Sequence, residues 1–342
     1  MINFTENNPG IELGYACINL TLQQDKKNKI TCNRSMIKRT FQAKGIEYAS
    51  ELSELNTGNI LPILEWNHRN NIRVFRMTSC LFPWASEYML EDLPDFEKIS
   101  HNLEVAGKYA REKGIRLSFH PGPFNILTST KEHVVKNTIV DLAIHGKIMD
   151  LMGMPRSHWA KINIHIGASY GDRESAMDRW VKNFDLLPES VKTRLTVEND
   201  DKPSLFSTKD LYHGIFKRIG VPIVFDYHHH RFRNDGESEA ECHDMAFESW
   251  GDVRPCFHYS ESASEKEGSN KKANAHSDYI YDVINDYGKD FDVVIEAKAK
   301  ELALLKYRER TNSPLMDCAP AAIWKQQRSY RNEAPHPDMS SI

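Results

Sequence analysis

The sequence predicts a single α/β domain of the (β/α)8 TIM-barrel class, with a metal site at the C-terminal ends of its strands. Three observations lead there. Eight short β-rich runs alternate with helical patterns along almost the whole chain; six of the eight end at a histidine, aspartate or glutamate; and no linker divides the 342 residues. Closed barrels of this kind run to about 250 residues or more, whereas a doubly wound open sheet more often carries about six strands.

The first run, "IELGYACI", leads into the helical stretch "MIKRTFQAKGIEYASELSEL", which continues through "ILPILEWNHRN" to make one βα unit. The unit recurs with "IRVFRMT", "IRLSFHPG", "KINIHIG", "RLTVEND", "VPIVFDYH", "RPCFHYSE" and "FDVVIEAK". No sequence period links the units, so the architecture repeats and the sequence does not. Residues 11–310 are expected to form the barrel domain, with 1–10 and 311–342 as terminal extensions. The tail "RNEAPHPDMSSI" is proline-rich and polar, and is expected to be poorly ordered.

A formal net charge of −4 provides no global basic field, so any polyanion must be met by local Lys/Arg or by bound cations. Cys17, Cys32, Cys80, Cys242, Cys256 and Cys318 contain no C-x-x-C pair, and "MINFTENNPG" lacks a basic segment followed by an apolar one. Both features lead to the expectation of a reduced cytoplasmic protein. No apolar run approaches the roughly 18 to 20 residues of a membrane span.

In such a barrel the carboxyl ends of all strands meet on one face. His120, His165, Glu198, Asp226 with His229, His258 and Glu296 end strands three to eight, and His276 follows strand seven in "NAHSDY". Each alone reads as an ordinary hydrogen-bonded barrel residue. Together, five imidazoles and three carboxylates would repel when charged and suffer desolvation when buried, so divalent cations are the simplest physical explanation. A His/Asp/Glu set without thiolates suits Zn²⁺, Mn²⁺ or Fe²⁺ better than Ca²⁺ or Mg²⁺ alone. Two or three such ions can activate water and stabilise a leaving alkoxide, as phosphodiester hydrolysis requires.

The motifs "LGYACIN", "FHPGPF", "NIHIGASYGD", "TVENDDK", "FDYHHH", "FHYSES", "AHSDY" and "VIEAKAKE" together resemble the UV damage endonuclease family, related in its site to endonuclease IV. The resemblance runs from about residue 11 to 305. It implies a metal-dependent DNA repair endonuclease that cuts double-stranded DNA immediately 5′ to pyrimidine dimers, 6-4 photoproducts and some other lesions, leaving a 3′-hydroxyl and a 5′-phosphate. Mn²⁺ is the expected ion, with Zn²⁺, Mg²⁺ or Co²⁺ as alternatives. The resemblance also implies a monomer that meets DNA at the nucleoid.

Carried over by residue, the resemblance makes Glu198 the bridge between two ions, one shared with His120 and His165, the other with Asp226, His258 and Glu296. His229 and His276 resemble the ligands of a third, although Asn274 stands where endonuclease IV has an aspartate. Glu198, Glu296 and Lys298 are the implied catalytic residues. Lys298 reads equally as a partner in an ion pair at the strand end. Tyr15, Asn19, Pro123, Phe124, His230 and Arg231 are the implied DNA or lesion contacts. Tyr15 also suits packing at the barrel mouth, and His228 and His230, flanking His229, suit residues that support the ligands or face phosphate, or a plain loop. Where the family commonly has a glutamine followed by an aromatic, this chain has Pro123 and Phe124. The loops "QQDKKNK", "RFRND" and "SEKEGSNKK" are candidate phosphate contacts. Two rival readings are a two-metal sugar isomerase or epimerase and a non-catalytic lesion-binding protein. A ligand set of this size argues against both.

Overall fold

The eight apolar runs all become strands in the computed structural model, which describes residues 10–311. They are β1 (Ile11–Ala16), β2 (Val74–Arg76), β3 (Arg116–Ser118), β4 (Ile162–His165), β5 (Leu195–Glu198), β6 (Ile223–Val224), β7 (Cys256–Tyr259) and β8 (Phe291–Ile295). The runs are near-continuous apolar segments because a parallel strand covered by helices is buried on both faces. At Gly14 of β1 a Cβ would come within 2.3 Å of the Val74 carbonyl oxygen, so only glycine permits β1 to lie this close to β2. The tail expected to be poorly ordered lies outside the described residues.

The expected continuous eight-stranded barrel is present as two parallel sheets, one of five strands in the order β3-β2-β1-β8-β7 and one of three in the order β4-β5-β6. A single parallel bridge spans each seam, Phe119 with Ile162 and Asp226 with His258. The ladders lapse there because β3 and β6 are only three and two residues long. Just beyond them the chain turns away, at Pro121, which lacks an amide donor, and at Asp226, which starts a helix.

Helices follow the strands as the pattern requires, among them Phe96–Glu112, Glu132–Leu151, Arg173–Phe184 and Glu239–Glu248. The long first helical region is not continuous. Lys38–Gly58 is interrupted at Gly45, where φ is +68°, and a second helix, Ile60–Arg69, carries Pro62 in its first turn, where no intrahelical amide is missed. One connected cluster of buried apolar side chains runs from Leu13 to Tyr307.

The space between the strands is not purely apolar. Arg116, Lys161, Asn163 and Thr196 are all buried. Arg116 is accommodated by an ion pair to Asp292 at 2.8 Å, a bond to the Trp159 carbonyl and the faces of Trp159 and Trp250. A buried guanidinium is tolerated only when matched in this way.

Candidate metal centre

Parallel strands put their carboxyl ends on one face, and there the structure brings the eight expected ligands together around Glu198 and Glu296. Glu198, the last residue of β5, lies 3.0 Å from His120 Nε2, 3.0 Å from His258 Nδ1, 3.3 Å from His229 Nδ1 and 4.0 Å from His165 Nε2. Glu296, just past β8, lies 3.4 Å from His258 and 3.7 Å from His276. Two compact ligand groups result: His120, His165 and Glu198; and Glu198, Asp226 and His229. His229 thus sits with Glu198 and Asp226, whereas the resemblance paired it with His276.

The "DYHHH" run is the first turn of a helix, Tyr227–Phe232, and not a loop. Asp226 is its N-cap: Oδ1 accepts the His229 amide at 2.8 Å, while Oδ2 stays free of hydrogen bonds. Successive helical residues point about 100° apart, so only one of the three histidines can face the cluster. That residue is His229. His228 is buried edge-on to His276 and Phe232, and His230 is buried against Phe225. Burial lowers both imidazoles, His228 to about 4, and His228 packs behind His276.

Backbone carbonyls orient most of the ligand histidines. Nδ1 of His120, His229 and His276 lies 3.2, 2.9 and 3.0 Å from the carbonyls of Pro121, Asn199 and Glu296. With the proton on Nδ1 each bond is made, and the Nε2 lone pair is left for a cation. His165 Nδ1 lies 3.3 Å from Asp200 Oδ1.

The electrostatics suit bound cations. Burial would raise Glu198, but His258, His165 and His120 hold it well below the usual carboxylate range. Burial would likewise raise Glu296, and Arg76 with His258 holds it down. For His165 burial acts downward, yet Glu198 and Asp200 outweigh it and push the imidazole up to about 10. Asp226 is raised to about 6 by burial, with Glu198 and Glu296 adding to it against His229. Glu198 Oε1, Asp226 Oδ2, His165 Nδ1 and His258 Nδ1 are buried without hydrogen-bond partners. Unpaired lone pairs this close together, on nitrogen and oxygen donors alone, fit divalent cations of the Mn²⁺ or Zn²⁺ type.

Several supporting residues escaped the sequence reading. Arg76, the last residue of β2, forms an ion pair with Glu296. Asn163 donates to Glu198 and accepts from Thr196, and Asn199 bonds both the amide and the carbonyl of Asp226. The signal was present. Lys161, Asn163 and His165 alternate at period two along "KINIH", as do Thr196 and Glu198 in "TVE", marking the inward faces of β4 and β5.

The DNA-facing expectations divide. Tyr15 and Asn19 are fully buried, the tyrosine hydroxyl donating to Asn67 and accepting from Asn19, so the barrel-mouth packing role describes them and direct DNA contact does not. In "RFRND", Arg231 pairs with Glu265 at 2.6 Å, and Arg233 is buried against Asp210 and Asp235. Arg233 is thus a buried structural residue, whereas Arg231 and its partner remain at the surface. Pro123 and Phe124 are exposed, as are Lys26, Lys27, Lys29, Lys271 and Lys272. Lys298 is exposed as well, and burial followed by neighbouring Lys271 lowers its ammonium.

The family model described as UV-endonuclease UvdE matches residues 11–318. A UV-damage endonuclease of Schizosaccharomyces pombe is 34% identical over 307 residues, covering 87% of this chain and 50% of the yeast protein, so the chain spans half that relative's length. A UV DNA damage endonuclease of Bacillus thuringiensis is 32% identical over 279 residues, 77% of this chain and 83% of that one. The crystal structure of SacUVDE superposes with a TM-score of 0.75 at 30% identity, over 88% of this chain and 99% of the other. Matched along almost all of its described length in sequence and in fold, this chain belongs to the UV-endonuclease UvdE family.

Proposed function

We propose that this chain is a DNA repair endonuclease that hydrolyses the phosphodiester immediately 5′ to pyrimidine dimers and 6-4 photoproducts in duplex DNA, leaving a 3′-hydroxyl and a 5′-phosphate. The observation that carries the reading is the placement of four histidines within 4.0 Å of one buried carboxylate, Glu198. Bound divalent cations, Mn²⁺ by preference, would supply an activated water and polarise the scissile phosphate. Glu198, His120 and His165 would hold one ion, and Glu198 with Asp226, His229, His258 and Glu296 would hold its neighbour. A third would require His276. Asn163 fixes the Glu198 carboxylate and Arg76 that of Glu296, so neither has to reorganise as substrate charge arrives.

The two sheets act in this reading as one (β/α)8 barrel domain, residues 11–310, flanked by extensions at 1–10 and 311–342, and working as a monomer on damaged duplex. Among the described residues no helix is long and apolar enough to cross a membrane. Among the described residues, exposed Phe124, Arg231 and the lysines of the first and seventh strand-to-helix loops are available to meet DNA.

The test is UV-irradiated supercoiled plasmid incubated with protein and Mn²⁺, beside unirradiated plasmid and a chelator control. Nicking confined to the irradiated, metal-containing sample is expected, with the new 3′-hydroxyl mapping next to dimers. Absence of lesion-dependent nicking overturns the proposal. Tight binding to irradiated duplex without nicking would favour a non-catalytic lesion binder.

A further inference from the structure

Among the five histidines of the centre, His258 lacks the backbone carbonyl that holds Nδ1 of three of the others. His120, His229 and His276 each set Nδ1 against a backbone carbonyl, His229 Nδ1 lying also 3.3 Å from Glu198 Oε1, but His258 Nδ1 has no such carbonyl and meets carboxylates alone, 3.0 Å from Glu198 Oε2 and 3.4 Å from Glu296 Oε1. Its Nε2 lies 3.0 Å from the Nζ of Lys161, which donates to the Cys256 carbonyl at 2.9 Å; with the ring proton on Nε2 and given to the lysine nitrogen as acceptor, the Nδ1 lone pair is left for a cation. Lys161 and His258 are both fully buried. The lysine starts from the residue before β4 and reaches β7 through the interior.

We propose that Lys161 is a positioning residue, which holds His258 so that Nδ1, and not a ring carbon, is presented to Glu198 and Glu296. The inference rests on the reading of the centre as a divalent-cation site. A histidine side chain has two ring orientations related by a half-turn about χ2. That half-turn exchanges Nδ1 with Cδ2 and Nε2 with Cε1, so in the wrong orientation a C–H group faces the carboxylates. A contact to Nε2 distinguishes the two, because the turned ring would set a carbon against the amine. Backbone carbonyls perform this service for His120, His229 and His276. At His258 the inner ring edge faces the barrel interior, and Lys161 is the polar group that reaches it. Core stability does not account for a lysine there, since a fully buried amine costs desolvation that an apolar side chain of the same length would avoid.

The experiment titrates Mn²⁺ into metal-free protein by calorimetry, for wild type, Lys161→Met, His258→Gln and the double variant, with the melting temperature of each metal-free protein recorded alongside. Lys161→Met is expected to weaken Mn²⁺ binding about 10- to 100-fold, the usual effect of removing a residue that orients a ligand, without lowering the melting temperature. In the His258→Gln background the same change should add no further loss, since the lysine acts only through that ring. Lys161→Met that binds Mn²⁺ like wild type overturns the inference alone. So does a loss that persists undiminished in the His258→Gln background. Wild-type protein that binds no Mn²⁺ overturns the metal reading and this inference with it. Should Lys161→Met not fold, Lys161→Gln in the same two backgrounds reads the same coupling.

Discussion

Asp226 holds His229 through the backbone: its Oδ1 accepts the His229 amide at 2.8 Å, and its Oδ2 is left unpaired beside Glu198. One carboxylate therefore starts a helix and offers a ligand atom, which makes the two roles separable. Asparagine caps a helix as well as aspartate but brings no charge, so we predict that Asp226→Asn keeps the melting temperature of the metal-free protein while losing at least about tenfold in Mn²⁺ affinity. Asp226→Ala should also lose the cap, about 1 kcal/mol of stability. Unchanged Mn²⁺ binding by Asp226→Asn, measured by calorimetry, would remove Asp226 from the ligand set.

Glu198 touches four imidazoles and the Asn163 amide, so its charge is shared by both ligand groups. We predict that Glu198→Gln lowers incision on the order of 10²-fold or more by disturbing both cation positions. Gel-shift affinity for damaged duplex should survive, because Phe124 and the loop lysines lie outside this cluster. Wild-type nicking rates in the variant would refute the shared role.

The pH dependence of the metal-free protein follows from the buried histidines. His258, lowered to about 3 chiefly by burial, and His120, lowered for the same reason, bind fewer protons folded than unfolded, so stability rises with pH up to the ordinary histidine value of about 6.5. Asp226, raised to about 6, opposes part of that rise, its contribution being lost as pH climbs from about 4 towards 6. His165 is raised to about 10, so its stabilisation is complete below about 6.5 and is lost as pH rises towards 10. Melting temperatures between pH 5 and 8 should pass through a maximum near 6.5. His165→Gln should flatten the alkaline side, and an unchanged profile in that variant would contradict the assignment.

Phe124 is 86% exposed, so truncation removes little packing. We predict that Phe124→Ala leaves the melting temperature essentially unchanged, yet weakens binding to a dimer-containing duplex by roughly 1 to 3 kcal/mol, the usual worth of one base–aromatic stack. Undamaged duplex should be affected far less, since its bases are not extruded to meet the ring. Equal losses on both duplexes, in a titration of labelled DNA, would end the stacking role. Pro123 beside it lacks the side-chain amide of a glutamine, so we predict that recognition here depends on the lesion's disrupted geometry more than on base-edge hydrogen bonds.

The eight strands and the meeting of the expected His, Asp and Glu residues on one face were legible in the sequence for one physical reason. Parallel strands buried on both faces must be written as short apolar runs, and polar residues ending those runs must meet on one face whatever lies between them. Only the tertiary structure decided what depends on side-chain direction across elements. The helical phase of Tyr227–Phe232 selects His229 and buries His228 and His230. Packing withdraws Tyr15 and Asn19 from the surface, and long-range partners absorb Arg231 and Arg233 into ion pairs. Arg76, Asn163 and Lys161 become supports for Glu296, Glu198 and His258 through partners at least 35 residues away. A strand's alternation shows that such residues face inward, but their partners lie on other strands, and those distances are set only when the sheets curl together.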